Sequence, residues 1–194
     1  FIMGSLMMAV AIVSQGLDKR LALGIIKLTG NKTWRIVFGF VAISSVLSSF
    51  IGEHTVAAMM LPVALTLIKN TSHDKNEVKQ LSTILLFSIA YGCAMGSIGT
   101  PSGGGRNVIM IGYISEFGLG QISYLDWIKY AYPMLLLEIP IAVFLLWNTF
   151  KPQQLTLDSA VRKLKVKVAK SGGITGNQIL AIILAITLSS LKKI

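Results

Sequence analysis

One polar run interrupts an otherwise apolar stretch. Residues 81–115 are greasy except for Ser97-Ile-Gly-Thr-Pro-Ser-Gly-Gly-Gly-Arg-Asn107. Pro101 removes a backbone donor, and Gly103, Gly104 and Gly105 disfavour helix. The three glycines let backbone amides turn toward one point. A second half-helix is then expected from Asn107 or a neighbour, covering Val108 to Ser115. A helix N-terminus presents free N–H groups and a partial positive charge. Arg106 adds a fixed cation with a fork suited to carboxylate, sulfate or phosphate. Together these would make an anion site. The plainer reading is a kink, with Arg106 reaching out to an interface.

Gly52-Glu53-His54 is the second candidate, because it parts two apolar arms. A carboxylate inside a membrane is costly unless it is partnered or reached by water. Glu53 could bind a coupling cation or exchange a proton, and His54 could donate to an anion. The structural alternative is a pair that caps the arms. No ligand-rich helix accompanies the pair, so no metal beyond a coupling sodium ion is expected. Ser44, Ser45, Ser48 and Ser49 form a small polar face before this turn. Its expected role is close helix packing, although Ser48 could lend an oxygen to a cation. Glu138 is a further lone carboxylate whose partner is not legible.

These residues need a membrane scaffold. The 194 residues are 53% hydrophobic and 13% charged, against roughly 25% charged in soluble domains. The mean hydropathy is +0.69. An all-α integral membrane fold follows, with the lipid bilayer as its solvent. Nothing in the sequence assembles a nucleophile–base pair or a ligand set, so no enzyme is expected and no organic cofactor. The net charge of +10 comes from basic residues in short loops, which reads as orientation signal rather than nucleic-acid binding. Cys93, the single cysteine, sits in an apolar segment and reads as a small buried hydrophobe. No basic leader follows Phe1, so the chain is expected to begin inside a longer protein.

Residues 1–35 are expected to hold a transmembrane helix (apolar over 2–16) and an interfacial segment. Residues 36–69 form a hairpin with arms 36–51 and 55–69. Each arm is about 15 residues, or roughly 23 Å, short of the ~30 Å hydrocarbon core. A re-entrant hairpin is therefore expected, with two short tilted spans as the alternative. Residues 81–115 are a broken transmembrane helix. Residues 130–149 are a span bent by Pro133 and Pro140. Residues 150–176 are a basic linker, and 177–194 begin another helix. This order puts loops 17–35, 69–80 and 151–171 on one face, with 14 basic and 4 acidic residues. The other face has Lys129 against Glu116 and Asp126. The basic face is thus cytoplasmic, and a multi-pass cell-membrane protein is expected. Tyr124, Trp127, Tyr130 and Tyr132 read as an aromatic belt at the opposite interface.

Two motifs resemble a known family. Ser49-Phe-Ile-Gly-Glu-His-Thr-Val-Ala-Ala-Met-Met-Leu-Pro62 is similar to the first re-entrant hairpin of the divalent anion:sodium symporter family, where the tip normally reads Ser-Asn-Thr. Gly96-Ser-Ile-Gly-Thr-Pro101, followed by Asn107, resembles that family's broken helix, usually Ile-Gly-Thr-Pro-Pro-Asn. The opening Gly4-Ser-Leu-Met-Met-Ala9 through Gly16-Leu-Asp-Lys-Arg-Leu-Ala22 looks like its preceding helix. The resemblance covers almost the whole chain, as the N-terminal repeat. It implies half of an inverted-repeat transporter, with a missing C-terminal repeat, an elevator-type mechanism and a homodimer. The substrate would be a small anion: a dicarboxylate, a tricarboxylate or sulfate. Carried over by motif, Ser48, Glu53 and the Gly99 backbone would sit at the cation position, and Glu53, His54, Thr100 and Pro101 would face the substrate. Gly52 joins the candidate cation site, and Thr55, Ser102, Arg106 and Asn107 join the candidate anion site, as neighbours in the two motifs.

The departures are as informative. Gly52-Glu53-His54 stands where the family has Ser-Asn-Thr, and a carboxylate there repels a dicarboxylate unless it is protonated or countered. Arg106 is an available counter-charge. Proton coupling, or loss of sodium coupling at this site, is therefore expected over ordinary sodium symport. The alternative to a cation-coupled transporter is a passive anion channel or a structural membrane subunit.

Overall fold

The computed structural model describes residues 32–71 and 75–151, together with residues 24, 25, 28–30, 162 and 166. The apolar segment 2–16, most of loop 17–35, His73, nearly all of the basic linker and the helix expected over 177–191 lie outside the described residues.

The described chain is helical: α1 (Thr33–Ile51), α2 (Glu53–Thr71), α3 (Lys75–Gly96), a 3₁₀ turn (Pro101–Gly103), α4 (Gly105–Glu116) and α5 (Tyr124–Phe150). Among the described residues, three helices are long and apolar enough to cross a membrane: Thr33–Ile51, Asn76–Gly96 and Tyr124–Phe150. The all-α integral membrane class read from composition is the class observed.

A single residue separates α1 from α2. Gly52 takes φ 99°, a left-handed conformation that side chains resist. Its N–H donates to the Ser48 carbonyl at 3.1 Å, and its own carbonyl accepts from Val56 N–H at 3.2 Å. One glycine thus ends one helix and opens the next.

α3 lies at the centre, packed against α1, α2 and α5. Ile36, Val37 and Phe40 of α1, Val56 and Val63 of α2, and Ile84 and Leu85 of α3 are fully buried. Leu135, Ile139, Val143 and Leu146 close the core from α5. Their spacing of four, four and three residues puts them on one helical face.

The serine face of α1 makes the α1–α3 crossing close. Ser44, Ser45, Ser48 and Ser49 are fully buried, and Ser44 meets Gly92 and Ser45 meets Gly96 of α3. Small residues let backbones approach in this way. Ser48 Oγ donates to the Cys93 carbonyl at 2.7 Å, across the interface. Ser45 Oγ and Ser49 Oγ donate back along α1 to Val41 and Ser45. The packing role read for these serines is the one observed, and Cys93 is buried as expected. Ser48→Ala should cost about 1 kcal/mol by leaving the Cys93 carbonyl without this donor. Thermal unfolding of the purified chain in detergent measures it.

Element boundaries differ from the hydropathy reading. Each arm is a 19-residue helix, about 28 Å long, because helix continues through polar flanks such as Thr33 and Lys69. Length alone therefore no longer separates a re-entrant hairpin from two crossings. α3 starts at Lys75 rather than at 81. α4 starts at Gly105, so Asn107 sits inside its first turn rather than before it. α5 starts at Tyr124 rather than at 130. There, Ser123 accepts from Asp126 N–H while Asp126 reaches back to Ser123 N–H, a capping box. At α5 a cap, not hydropathy, decides where the helix begins. Pro133 and Pro140 both lie within continuous α5.

Candidate functional site at the tip and the break

The turn at Gly52 and the break after Gly96 meet. α3 finishes in tight turns, with Ser97 N–H donating to Cys93 and Gly99 N–H to Gly96. Asn107 then holds the break in shape. It is 4% exposed, and its Nδ2 donates to the carbonyls of Ser97 and Thr100, both at 2.8 Å. Thr100 ties the break to α1, its Oγ1 donating to the Ser49 carbonyl. Gly103 fits beside the Ser97 and Ser49 carbonyls, which an added Cβ would meet at 2.5 and 2.8 Å.

An ion pair bridges the same junction. Arg106 Nη2 lies 3.0 Å from Glu53 Oε2, and the same nitrogen donates to Ser97 Oγ. His54 Nε2 is 3.7 Å from the other carboxylate oxygen of Glu53. The Arg106 side chain is 57% exposed and that of Glu53 28%, so both reach the surface of the described residues.

The two helix N-termini here differ electrostatically. α2 has Glu53 in its first turn, which answers the positive end of the helix. α4 has no acidic residue in its first turn, and Arg106 stands there instead. A cation at that end opposes the dipole by about 0.3–1 kcal/mol. Glu53 relieves this from outside the helix. The first amides of α4, at Gly105 and Arg106, have no intrahelical acceptor.

Depth follows from α5. Lys129 and Lys151 are separated by 22 residues, about 33 Å of helix, close to the hydrocarbon thickness. An added Cβ on Gly99 would meet Leu135 Cδ2 at 3.3 Å. Leu135 lies six residues, about 9 Å, inside Lys129. The break thus lies against the first three turns of α5, from Tyr124 and Trp127 to Leu135, at the Lys129 end of that helix.

The structure groups the expected residues as follows. Glu53, His54, Arg106, Ser97 and the first turn of α4 converge. Thr55 and Pro101 are buried at the edges of the junction. Thr100 and Asn107 are buried, with their polar groups engaged in holding the break. Ser48 donates to Cys93, Gly52 forms the turn, and Gly99 N–H donates to Gly96. Ser102 Oγ lies 3.0 Å from both Thr100 Oγ1 and Tyr124 Oη.

Three aromatic residues were read only as belt. Trp127 Nε1 donates to the Ile98 carbonyl at 2.8 Å. Tyr124 reaches Ser102, and Tyr132 Oη lies 3.4 Å from Ser49 Oγ. The first turns of α5 thus brace the break. Their signal was present: aromatic residues with polar tips at 124, 127 and 132, wrapping one end of one helix. Neither of two cavities elsewhere is lined by a candidate site residue. One of about 370 Å³ is lined by Asn76, Lys79, Gln80, Thr83 and Phe150. The other, of about 440 Å³, lies between α3 and α5 and includes Glu138. Among the described residues, the Arg106 and Glu53 side chains at the tip–break junction are partly exposed.

Comparison with known proteins bears on this geometry. A family model described as the sodium:sulfate symporter transmembrane region matches residues 1–191. The sodium-dependent high-affinity dicarboxylate transporter 3 of Caenorhabditis elegans is 29% identical over 175 residues, covering 83% of this chain and 31% of that protein. The sodium-dependent dicarboxylate transporter SdcS of Staphylococcus saprophyticus is 27% identical over 178 residues, covering 88% and 34%. An uncharacterized transporter of Haemophilus influenzae is 27% identical over 150 residues, covering 77% and 31%. The chain spans about a third of the length of these curated relatives.

Proposed function

The chain belongs to the sodium:sulfate symporter transmembrane family, and from that premise we propose that it forms one half of a secondary active transporter for small divalent anions, dicarboxylates foremost. The observation that carries this reading is the meeting of two helix discontinuities beside the apolar helix α5. Ser49, one turn before Gly52, meets Thr100 of the break, and Glu53 meets Arg106. Non-helical backbone within a membrane persists where it is buried in protein or lines a cavity. Here it leaves the α4 N-terminus and a guanidinium facing outward, which suits an anion.

The hairpin is re-entrant in this reading. Tyr132 lies beside Ser49, so the tip sits near the Lys129 end of α5, and the re-entrant reading rests on the resemblance of the tip motif. Loops 17–35, 69–80 and 151–171 are cytoplasmic. A second, related half supplies the opposite side of the site, and the transporter works as a homodimer by an elevator motion. Two of these relatives are named sodium-dependent transporters, which supports a cation as coupling ion. Arg106 beside Glu53 repels a further cation at that carboxylate. We therefore propose that sodium coupling is weakened or lost at this position, with a proton as the other coupling ion that the departure from Ser-Asn-Thr allows.

Reconstitution tests the proposal. Liposomes bearing the transporter with both halves should accumulate succinate against its gradient, which a passive channel cannot do. Uptake driven strictly by sodium, and indifferent to a proton gradient, rejects the coupling assignment. Arg106→Gln should weaken succinate binding by about 10- to 100-fold, the range of a charge-assisted hydrogen bond. Unchanged affinity in a folded variant removes Arg106 from the site.

A further inference from the structure

We propose that Glu53 acts as a tethered competitor, an internal carboxylate that sets the affinity of the anion site by neutralising Arg106. The proposal rests on the reading of the tip–break junction as an anion site and assigns one residue its part in that site.

Three observations carry it. First, Glu53 Oε2 is 3.0 Å from Arg106 Nη2, so the guanidinium at the uncountered end of α4 already holds a carboxylate. That carboxylate belongs to the protein. Second, Arg106 does not need Glu53 to stay in place. Its Nη2 also donates to Ser97 Oγ, and the turn that carries it is fixed by the buried amide of Asn107. Third, the pair is open to exchange. Both side chains are partly exposed, and exposed ion pairs are weak. Among the described residues no acceptor engages Nε or Nη1 of Arg106, so an incoming carboxylate finds a free edge of the fork. It also meets the Glu53 charge beside that edge, and like charges at one site oppose each other.

A positioning role and a competing role predict opposite signs. If Glu53 mainly held Arg106 in place, its removal would weaken anion binding. If it competes, removal strengthens binding. Its place at the start of α2 does not decide this, because a first-turn carboxylate suits that helix end in either case.

The experiment titrates succinate and sulfate against the full chain in lipid nanodiscs, reading thermal stabilisation and the fluorescence of Trp127, which touches the break. Glu53→Gln should bind both anions more tightly, by about fivefold, the factor that an exposed ion pair corresponds to. Glu53→Ala should do the same, which separates charge from the shape of glutamine. Helix content by circular dichroism checks that each variant is folded. Arg106→Gln should lose binding, and adding Glu53→Gln to it should restore little. Weaker or unchanged binding in both Glu53 variants, with binding still lost in Arg106→Gln, overturns the competitor role and leaves the anion site standing. Binding that is absent from every variant, or indifferent to Arg106→Gln, overturns the anion site and the competitor with it.

Discussion

Gly96→Ala is expected to destabilise the chain by about 3 kcal/mol, the upper part of the range for overpacking a close contact. An added Cβ would lie 2.1 Å from the Ser45 carbonyl oxygen, 2.5 Å from its Cα and 2.6 Å from its carbonyl carbon. All three are backbone atoms of α1, so no side chain can rotate out of the way. Relief requires α1 and α3 to separate, and the fully buried serines at 45, 48 and 49 go with them. The Ser48–Cys93 hydrogen bond would lengthen in the same movement. Gly112→Ala is the control. Nothing lies within 4 Å of an added Cβ there, and alanine is the better helix former by about 1 kcal/mol. Thermal unfolding in detergent should therefore move in opposite directions for the two variants.

Asn107→Ala should cost about 3 kcal/mol and, with it, most of the anion affinity. The side chain is nearly buried and supplies one amide to two carbonyls, those of Ser97 and Thr100. Its loss leaves two inward-facing acceptors without that donor, and an unsatisfied buried group costs about 1–3 kcal/mol. The break would then relax and carry Arg106 away from Glu53. Asn107→Asp keeps the shape but turns two donors into acceptors, so it should be at least as damaging. Unfolding and succinate titration on the same samples measure both effects. A wild-type melting temperature in Asn107→Ala would mean that other contacts hold the break.

The sequence made the polar gap legible because proline, three glycines and an arginine are incompatible with a continuous helix in lipid. The turn at Gly52 was legible for a similar reason, as two charged or titratable residues between apolar arms. The two motifs around them sufficed to point to the family. Helix limits were less legible. Hydropathy marks where lipid contact ends, whereas Ser123 and Asp126 start α5 by capping six residues earlier than the apolar span read from the sequence. The arms were read short for the same reason. The pairing of Glu53 with Arg106 joins residues 53 positions apart and depends on how α1 crosses α3. The serine face was legible as a packing surface, but its partners across the crossing, Gly92 against Ser44 and Gly96 against Ser45, were not. The bracing role of Tyr124, Trp127 and Tyr132 was hidden because an aromatic belt explains the same residues equally well.

The most direct measurement is anion protection of a cysteine placed at the junction. In a Cys93→Ser background, Ser102→Cys puts a single thiol beside Thr100 and Tyr124. A membrane-impermeant maleimide should label it from water, and millimolar succinate should slow that labelling severalfold while choline leaves it unchanged. Labelling that ignores succinate, or a thiol that no aqueous reagent reaches, would contradict an anion site at the meeting of the tip and the break.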